Sequence, residues 1–171
     1  MKEKQIRKTV LAAMFAAMAC VATMVIRVPT PMGGYVNCGD IIVLLSGFLL
    51  GPLYGGVAAG LGSALADVLA GYVQYVPGTL VIKACMAVIC ALFVRQCKKP
   101  VLSCAAGGFL AEIWMIGGYF AYEAIFLAYG LSAAASLIGN AMQGLIGLCG
   151  SLLLYAAIRR SRTLNAFLRG N

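Results

Sequence analysis

Two carboxylates and a tyrosine lie within a run of apolar residues, Val101 to Ala128, that is long enough to cross a bilayer. They are Glu112, Tyr119 and Glu123, and their spacing puts them within about 20° of one stripe on an α-helix. Ionisable side chains are rare in membrane spans, and they normally face a cavity or a bundle interior where they bind another group. We therefore predict that this stripe contributes to a ligand-binding site, although either glutamate could instead pair with a neighbour for structure alone.

Four further polar residues lie inside apolar runs and are candidates for the same site. Asp67 and Lys83 lie in two consecutive runs, whereas Asn140 and Gln143 lie in the early part of the last one. Lys83 is expected to pair with Asp67 or Glu112, because an unpaired charge in hydrocarbon is costly. The remaining carboxylate, amides and tyrosines would then be free to hold a small polar ring compound.

The chain lacks the residues that most enzymes and metal sites need. It contains no histidine, no CxxC pair and no GxxxxGK[ST] phosphate loop. These absences exclude imidazole catalysis, histidine-ligated metal and ATP hydrolysis by this chain. The seven cysteines lie mostly inside apolar runs, where a thiol acts as a small hydrophobic group. We predict a protein that is not an enzyme and has no catalytic residue, metal ion or cofactor.

The composition is that of a membrane protein. Of the 171 residues, 63% are hydrophobic and only 11% are charged, and the mean hydropathy is +0.96. A surface that faces water needs many more charges. The net charge of +8 reflects basic residues that flank the apolar runs, so it reports membrane topology and does not indicate binding to nucleic acid. We predict an all-α membrane protein with a single domain, residues 1–171.

Six apolar runs are predicted to span the membrane, and the basic residues orient them. Eleven of the 13 Lys and Arg residues precede the first run, lie in the loop at 95–99 or follow the last run. By the positive-inside rule, both termini are then cytoplasmic. The polar residues within the spans fall at the midplane or in the outer half, which predicts a cup open to the outside rather than a channel. The predicted spans are 9–26, 40–52, 53–71, 77–94, 101–128 and 133–158.

The segment from Arg27 to Gly39 contains prolines, glycines, a tyrosine and an asparagine. This composition predicts an ordered, non-helical loop on the outer side, which could serve the site or simply connect two spans. Asp40, directly after it, is predicted to be the N-cap of the next helix.

Small residues recur in the first span. Ala12 and Ala16, like Ala13 and Ala17, have the small-xxx-small spacing that lets another helix approach closely. That other helix could belong to a partner protein or to this chain.

Several segments occur in an order that resembles a known family. They are GYVNCGD at 34–40, LLGPLYGGVAAGLGSALADVLAGY at 49–72, PGTLVIK at 77–83, EIWMIGGYFAYEA at 112–124 and GNAMQG at 139–144. Over essentially its whole length the chain resembles the substrate-binding S components of bacterial energy-coupling factor (ECF) vitamin transporters. The resemblance is closest to the branch of hydroxymethylpyrimidine- and pyridoxine-type carriers.

The resemblance implies a function, a location and a set of partners. It implies a multi-pass protein of the bacterial cell membrane that captures a small water-soluble vitamin or precursor from outside. A separate T component with two ATPase subunits would then drive import. The implied ligand contacts are Glu112, Tyr119, Glu123, Asn140 and Gln143, with Asn37 or Tyr75 from the outer loops. The implied contacts with the T component are Ala12, Ala13, Ala16 and Ala17.

Two other functions stay open on the residues alone. One is an ion-coupled secondary transporter of a small polar solute, in which Asp67 or Glu112 takes up a proton. The other is a structural or assembly protein that uses only its small-residue faces. As substrate, two acids with nearby aromatics suit a neutral or weakly basic heteroaromatic compound, while Lys83 leaves room for an anionic one.

Overall fold

The computed structural model describes residues 2–30, 33–96 and 100–162. Lys98, Lys99 and Arg169, which contribute to the predicted topology, lie outside the described residues. The described chain forms five long helices: α1 (Lys2–Val25), α2 (Asp40–Ala70), α3 (Val76–Gln96), α4 (Pro100–Ala121) and α5 (Leu137–Arg160). Shorter elements lie at their ends: strands β1 (Arg27–Pro29) and β2 (Tyr35–Asn37), 3-10 turns at Val73–Tyr75 and Gly130–Ser136, and a π-helical turn at Tyr122–Phe126.

Each of the five long helices is long and apolar enough to cross a membrane. This confirms the predicted all-α class. The predicted spans 40–52 and 53–71 are not separate elements, however, since both fall within the 31-residue helix α2.

Helix α2 is broken at Gly51 and folds back on itself. Gly51 has φ 82° and ψ −178°, and Pro52, which follows it, has no N–H to continue the helical hydrogen bonds. The Ser46 hydroxyl donates to the Gly55 carbonyl at 3.1 Å, although nine residues of straight helix would separate them by about 13 Å. The two arms of α2 are therefore antiparallel, and its two ends lie at the same end of the bundle.

Small residues let α2 pack closely against both of its neighbours, α1 and α3. A Cβ atom at Gly60 would lie 2.8 Å from the Leu80 carbonyl oxygen, and one at Gly62 would overlap the backbone of Ala16. Such contacts are the usual basis of helix association in a bilayer, where the hydrophobic effect does not drive helices together. The glycines of α2 thus hold the bundle together and fix the positions of its polar residues.

The predicted loop at 27–39 is a short antiparallel hairpin. Arg27 pairs with Asn37, and Pro29 pairs with Tyr35. At the turn, the Thr30 N–H donates to the Gly34 carbonyl at 2.9 Å, and Gly33 has the left-handed φ of 70° that glycine adopts without strain. The segment is non-helical, as predicted, but its three-residue strands carry no periodic signal in the sequence. The hairpin lies across the end of the bundle where both arms of α2 terminate.

Candidate functional site

A polar cavity lies beneath the hairpin, between the ends of α2, α3, α4 and α5. It encloses about 390 Å³ of space free of protein atoms, part of which opens to solvent. Every described lining residue except a glycine carries a hydroxyl, amide or carboxyl group, and no aliphatic side chain is among them. The lining residues are Thr30, Gly34, Tyr35, Asn37, Asp67, Tyr75, Thr79, Tyr119, Glu123, Asn140 and Gln143.

The structure brings together seven of the nine residues predicted to bind ligand. Thr30, Gly34, Tyr35 and Thr79 also line the cavity but are not among the predicted residues. Tyr35 could have been found from the sequence, since it lies in the GYVNCGD segment and in a loop considered for a role in the site. The predicted residues in the lining are Asn37, Asp67, Tyr75, Tyr119, Glu123, Asn140 and Gln143.

Glu123 is a buried carboxylate held by two hydroxyl groups. It lies in the π-helical turn and is only 3% exposed. The Tyr75 hydroxyl donates to its Oε1 at 3.1 Å, and the Ser136 hydroxyl donates to its Oε2. Within the described residues, no lysine or arginine lies within salt-bridge distance of it. Its charge is therefore held by neutral donors, and a ligand could supply the missing positive or strongly polar partner.

A second carboxylate, Asp67, connects the hairpin to the end of α2. The Tyr35 hydroxyl donates to its Oδ1 at 2.6 Å, and the Tyr35 ring packs on Tyr72 with the centroids 4.6 Å apart. Burial, together with the hydrogen bond to Asp67, raises the pKa of Tyr35, so this phenol remains a donor at neutral pH. The interaction holds the hairpin over the cavity.

A chain of polar contacts runs from the hairpin into the protein interior. The Asn37 N–H donates to Gln143 Oε1 at 2.7 Å, and Gln143 Nε2 donates to Asp40 Oδ2, also at 2.7 Å. Asp40 in turn forms an ion pair with Lys83, whose Nζ lies 5.3 Å from the centroid of the Tyr119 ring. The cavity floor is thus joined to a fully buried ion pair.

This ion pair corrects two predictions. Lys83 pairs with Asp40 and not with Asp67 or Glu112. Asp40 is not the helix cap: Gly39 occupies the N-cap position, and Asp40 is the first residue of α2, with 0% of its surface exposed. The sequence pattern of a polar residue just before an apolar run fits a cap, but here the carboxylate turns inward because a lysine can neutralise it.

Asn140 presents a donor that has no partner in the described part of the chain. Its side chain is 7% exposed, and its Nδ2 atom makes no hydrogen bond there. Buried amide groups are nearly always hydrogen-bonded in folded proteins. An unpaired amide at the wall of a polar cavity is available to donate to a bound molecule.

Glu112 lies outside the cavity lining. It faces a groove between α4 and α5, with its carboxyl group against Gly144 and Gly147, and neither of its oxygens has a hydrogen-bond partner among the described residues. Glu112 and Glu123 share a helical stripe, but eleven residues of helix separate them by about 16 Å along the axis. One small cavity cannot contain both.

The four alanines of α1 lie on two different faces. Ala12 is 7% exposed and belongs to the core, and the backbone of Ala16 lies against Gly62. Ala13 and Ala17 are exposed. Ala12 and the backbone of Ala16 therefore pack inside this chain, whereas Ala13 and Ala17 are the exposed pair.

Comparisons with known proteins agree with this architecture. The chain is 27% identical over 169 residues to the thiamine precursor transporter HmpT of Lactococcus lactis subsp. cremoris, covering 98% of this chain and 96% of that protein. It is 38% identical over 132 residues to an uncharacterized protein in the gap 3' region of Pyrococcus woesei, covering 75% of this chain and 85% of that one.

A solved structure shares the fold. It is the S component of a bacterial ECF transporter, and it superposes with a TM-score of 0.72 at 20% identity, covering 91% of this chain and 97% of that one. The model of the family described as ECF-type riboflavin transporter, S component, matches residues 3–160. Members of this family are transport subunits and not enzymes. The chain therefore belongs to the S components of ECF transporters, the substrate-binding membrane subunits of these importers.

Proposed function

We propose that this S component captures a single-ring vitamin precursor, of the hydroxymethylpyrimidine or pyridoxine type, in the cavity beneath the hairpin. The observation that carries the proposal is the composition of that cavity, whose described side chains are all polar. A ligand with several hydrogen-bonding groups around one small ring matches such a lining. The relative that is described as a thiamine precursor transporter supports the same substrate class.

The hydrogen-bonding groups suggest how the ligand is oriented. Glu123 and Asp67 can accept hydrogen bonds from amino or ring N–H groups, while the Asn140 amide can donate to a ring nitrogen. An aminopyrimidine presents a donor and an acceptor next to each other on one edge. These two groups complement a carboxylate that accepts and an amide that donates. Tyr119, Tyr75, Gln143 and Asn37 would complete the contacts. Lys83 would act through Asp40, and Glu112 would not contact the ligand.

Riboflavin is the second candidate, because the family description names it. Its three fused rings include a dimethylbenzene portion that needs an apolar wall. The apolar surface of the described lining comes only from the rings of Tyr35, Tyr75 and Tyr119, with no aliphatic side chain beside them. This difference favours the smaller and more polar ligand.

A ligand panel tests the proposal. The purified protein is expected to bind hydroxymethylpyrimidine or pyridoxine by calorimetry, and small-molecule mass spectrometry should find such a compound in the purified sample. Riboflavin should bind much more weakly and should not co-purify. A yellow preparation that contains riboflavin, or one that binds none of the three compounds, would contradict the proposed substrate class.

The membrane arrangement is part of the proposal. The chain would pass through the membrane six times, because the two arms of α2 are antiparallel, and both termini would be cytoplasmic. The fold-back at Gly51 and the distribution of basic residues support this topology. The cavity would then open to the outside, as capture of an external vitamin requires.

Import would depend on a separate T component and two ATPase subunits, and α1 is the proposed contact. Changing both Ala13 and Ala17 to phenylalanine is expected to abolish ATP-driven uptake in cells that also produce these partners, because bulky rings would block close helix approach. Ligand binding by the isolated protein should be unchanged. Ala106→Phe, an equally exposed change on α4, is the matched control and should leave uptake intact. Normal uptake by the α1 variant would exclude α1 as the contact with the T component. Uptake that is driven by a proton gradient in cells without the partners would favour a secondary transporter.

A further inference from the structure

A second cavity lies at the opposite end of the bundle, around the break in α2. It is bounded by α1, the end of the first arm of α2 up to Gly51 and the last turns of α3, and it encloses about 790 Å³ of space free of protein atoms, part of it open to solvent. This space is separate from the site beneath the hairpin, which lies at the other ends of the α2 arms. Its walls combine apolar and cationic side chains, whereas the first cavity is lined by polar ones.

Two cationic side chains stand at this second cavity. The Lys8 Nζ lies 5.9 Å from the centroid of the Tyr54 ring, and the Arg95 guanidinium lies beside Gly51, at 3.2 Å from the position of a Cβ atom there. Both residues are exposed. Within the described residues, no carboxylate lies within salt-bridge distance of either one. The two charges are therefore available to an anion.

The rest of the wall is apolar. The cavity is also lined by Leu11, Phe48, Leu50 and Val94, which belong to three different helices. A free phosphate ion would leave this apolar surface uncovered. A molecule with an anionic head and a hydrocarbon chain would cover both parts of the wall.

We propose that this cavity binds one anionic phospholipid of the cytoplasmic leaflet, with its phosphate between Lys8 and Arg95 and an acyl chain along the apolar wall. The proposal rests on the proposed membrane orientation, which directs this end of the bundle to the cytoplasm. Basic pockets between membrane helices on that side are suited to anionic headgroups. The bound lipid would fill the opening that the break at Gly51 leaves between α1 and α3.

Native mass spectrometry tests the proposal with protein taken from bilayers of phosphatidylglycerol and phosphatidylcholine. The unchanged protein is expected to retain one phosphatidylglycerol in preference to phosphatidylcholine. The double variant Lys8→Gln, Arg95→Gln should lose roughly tenfold or more of that preference, because two headgroup contacts are removed. The control variant Lys4→Gln, Arg160→Gln removes two exposed charges that do not line the cavity, and it should behave like the unchanged protein.

Three results would overturn the proposal: equal lipid retention by the cavity variant, an equal loss in the control variant, or displacement of the lipid by excess inorganic phosphate. The last result would mean that the cavity accepts any small anion. Binding of the vitamin precursor is measured on the same samples. It reports whether the variants are folded, and it separates failure of the lipid proposal from failure of the proposed substrate.

Discussion

Replacing Lys83 with methionine is expected to destabilise the protein by about 3–5 kcal/mol. Lys83 and Asp40 form an ion pair in which their side chains are 3% and 0% exposed. Removing the lysine leaves a carboxylate that has been withdrawn from water and has lost its compensating charge. The cost of such an isolated buried charge exceeds that of any change to an exposed ion pair. Unfolding of the purified protein in mild detergent measures the effect.

A double variant distinguishes lost charge compensation from lost packing. In Asp40→Asn, Lys83→Met both charges are absent, while the introduced asparagine side chain retains an oxygen that can accept from Gln143. Most of the lost stability should return in this variant. Lys4→Met, which removes an exposed lysine, should have little effect. Two results would contradict a stabilising role of charge compensation in this ion pair. One is a double variant as unstable as Lys83→Met, and the other is a fully stable Lys83→Met.

The same substitution should also weaken ligand binding. Asp40 accepts from Gln143, whose oxygen accepts from the backbone of the hairpin at Asn37. When Asp40 loses Lys83, the orientation of the Gln143 amide is no longer fixed. The cavity floor and the hairpin that covers it are thus positioned by an ion pair that does not itself line the cavity.

Hydropathy and charge are sufficient to predict the general character of the molecule. A polar residue within an apolar span is informative because hydrocarbon excludes it, and its place along the span gives its approximate depth. For that reason Asp67, Glu123, Asn140 and Gln143 are all expected at one end of the bundle, and all four line the cavity there.

The pairing of charges cannot be predicted in this way. Asp40 meets Lys83 only because the two arms of α2 fold back at Gly51 and return both ends to the same region. A sequence read span by span has no information on which helix lies beside which. Glu112 shows a related limit, since two groups on one helical stripe need not face the same cavity when about 16 Å of helix separates them.

The alanine positions of α1 show a third limit. Their spacing predicts close helix contact but not the identity of the other helix. Gly62 of α2 packs against Ala16, so this chain itself uses one of the two small-residue faces. The hairpin is not predicted from the sequence for a simpler reason. Three-residue strands next to prolines and glycines are too short to show an alternation of apolar and polar residues.

The second large effect is expected at Glu123, where glutamine should weaken binding of the vitamin precursor by roughly 10- to 100-fold. Glutamine has nearly the same shape, and its carbonyl oxygen can still accept from one of the two hydroxyls that now hold the carboxylate. What is lost is the charge that strengthens a hydrogen bond from a ring amino group. Calorimetry with hydroxymethylpyrimidine measures the loss, and thermal unfolding verifies that the variant is folded.

Glu112→Gln is the matched control, because it makes the same change in a buried glutamate that lies on α4 outside the cavity. It should leave the affinity within about threefold of the unchanged protein. Asn140→Ala should weaken binding by roughly tenfold, since the acceptor on the ligand would lose the amide that donates to it. If the ligand bridges the two groups, it is a partner that both residues share, so the combined loss in Glu123→Gln, Asn140→Ala should differ from the sum of the single losses in free energy. A large loss in Glu112→Gln together with normal binding by Glu123→Gln would move the site to the groove between α4 and α5, and the cavity beneath the hairpin would no longer be the place of capture.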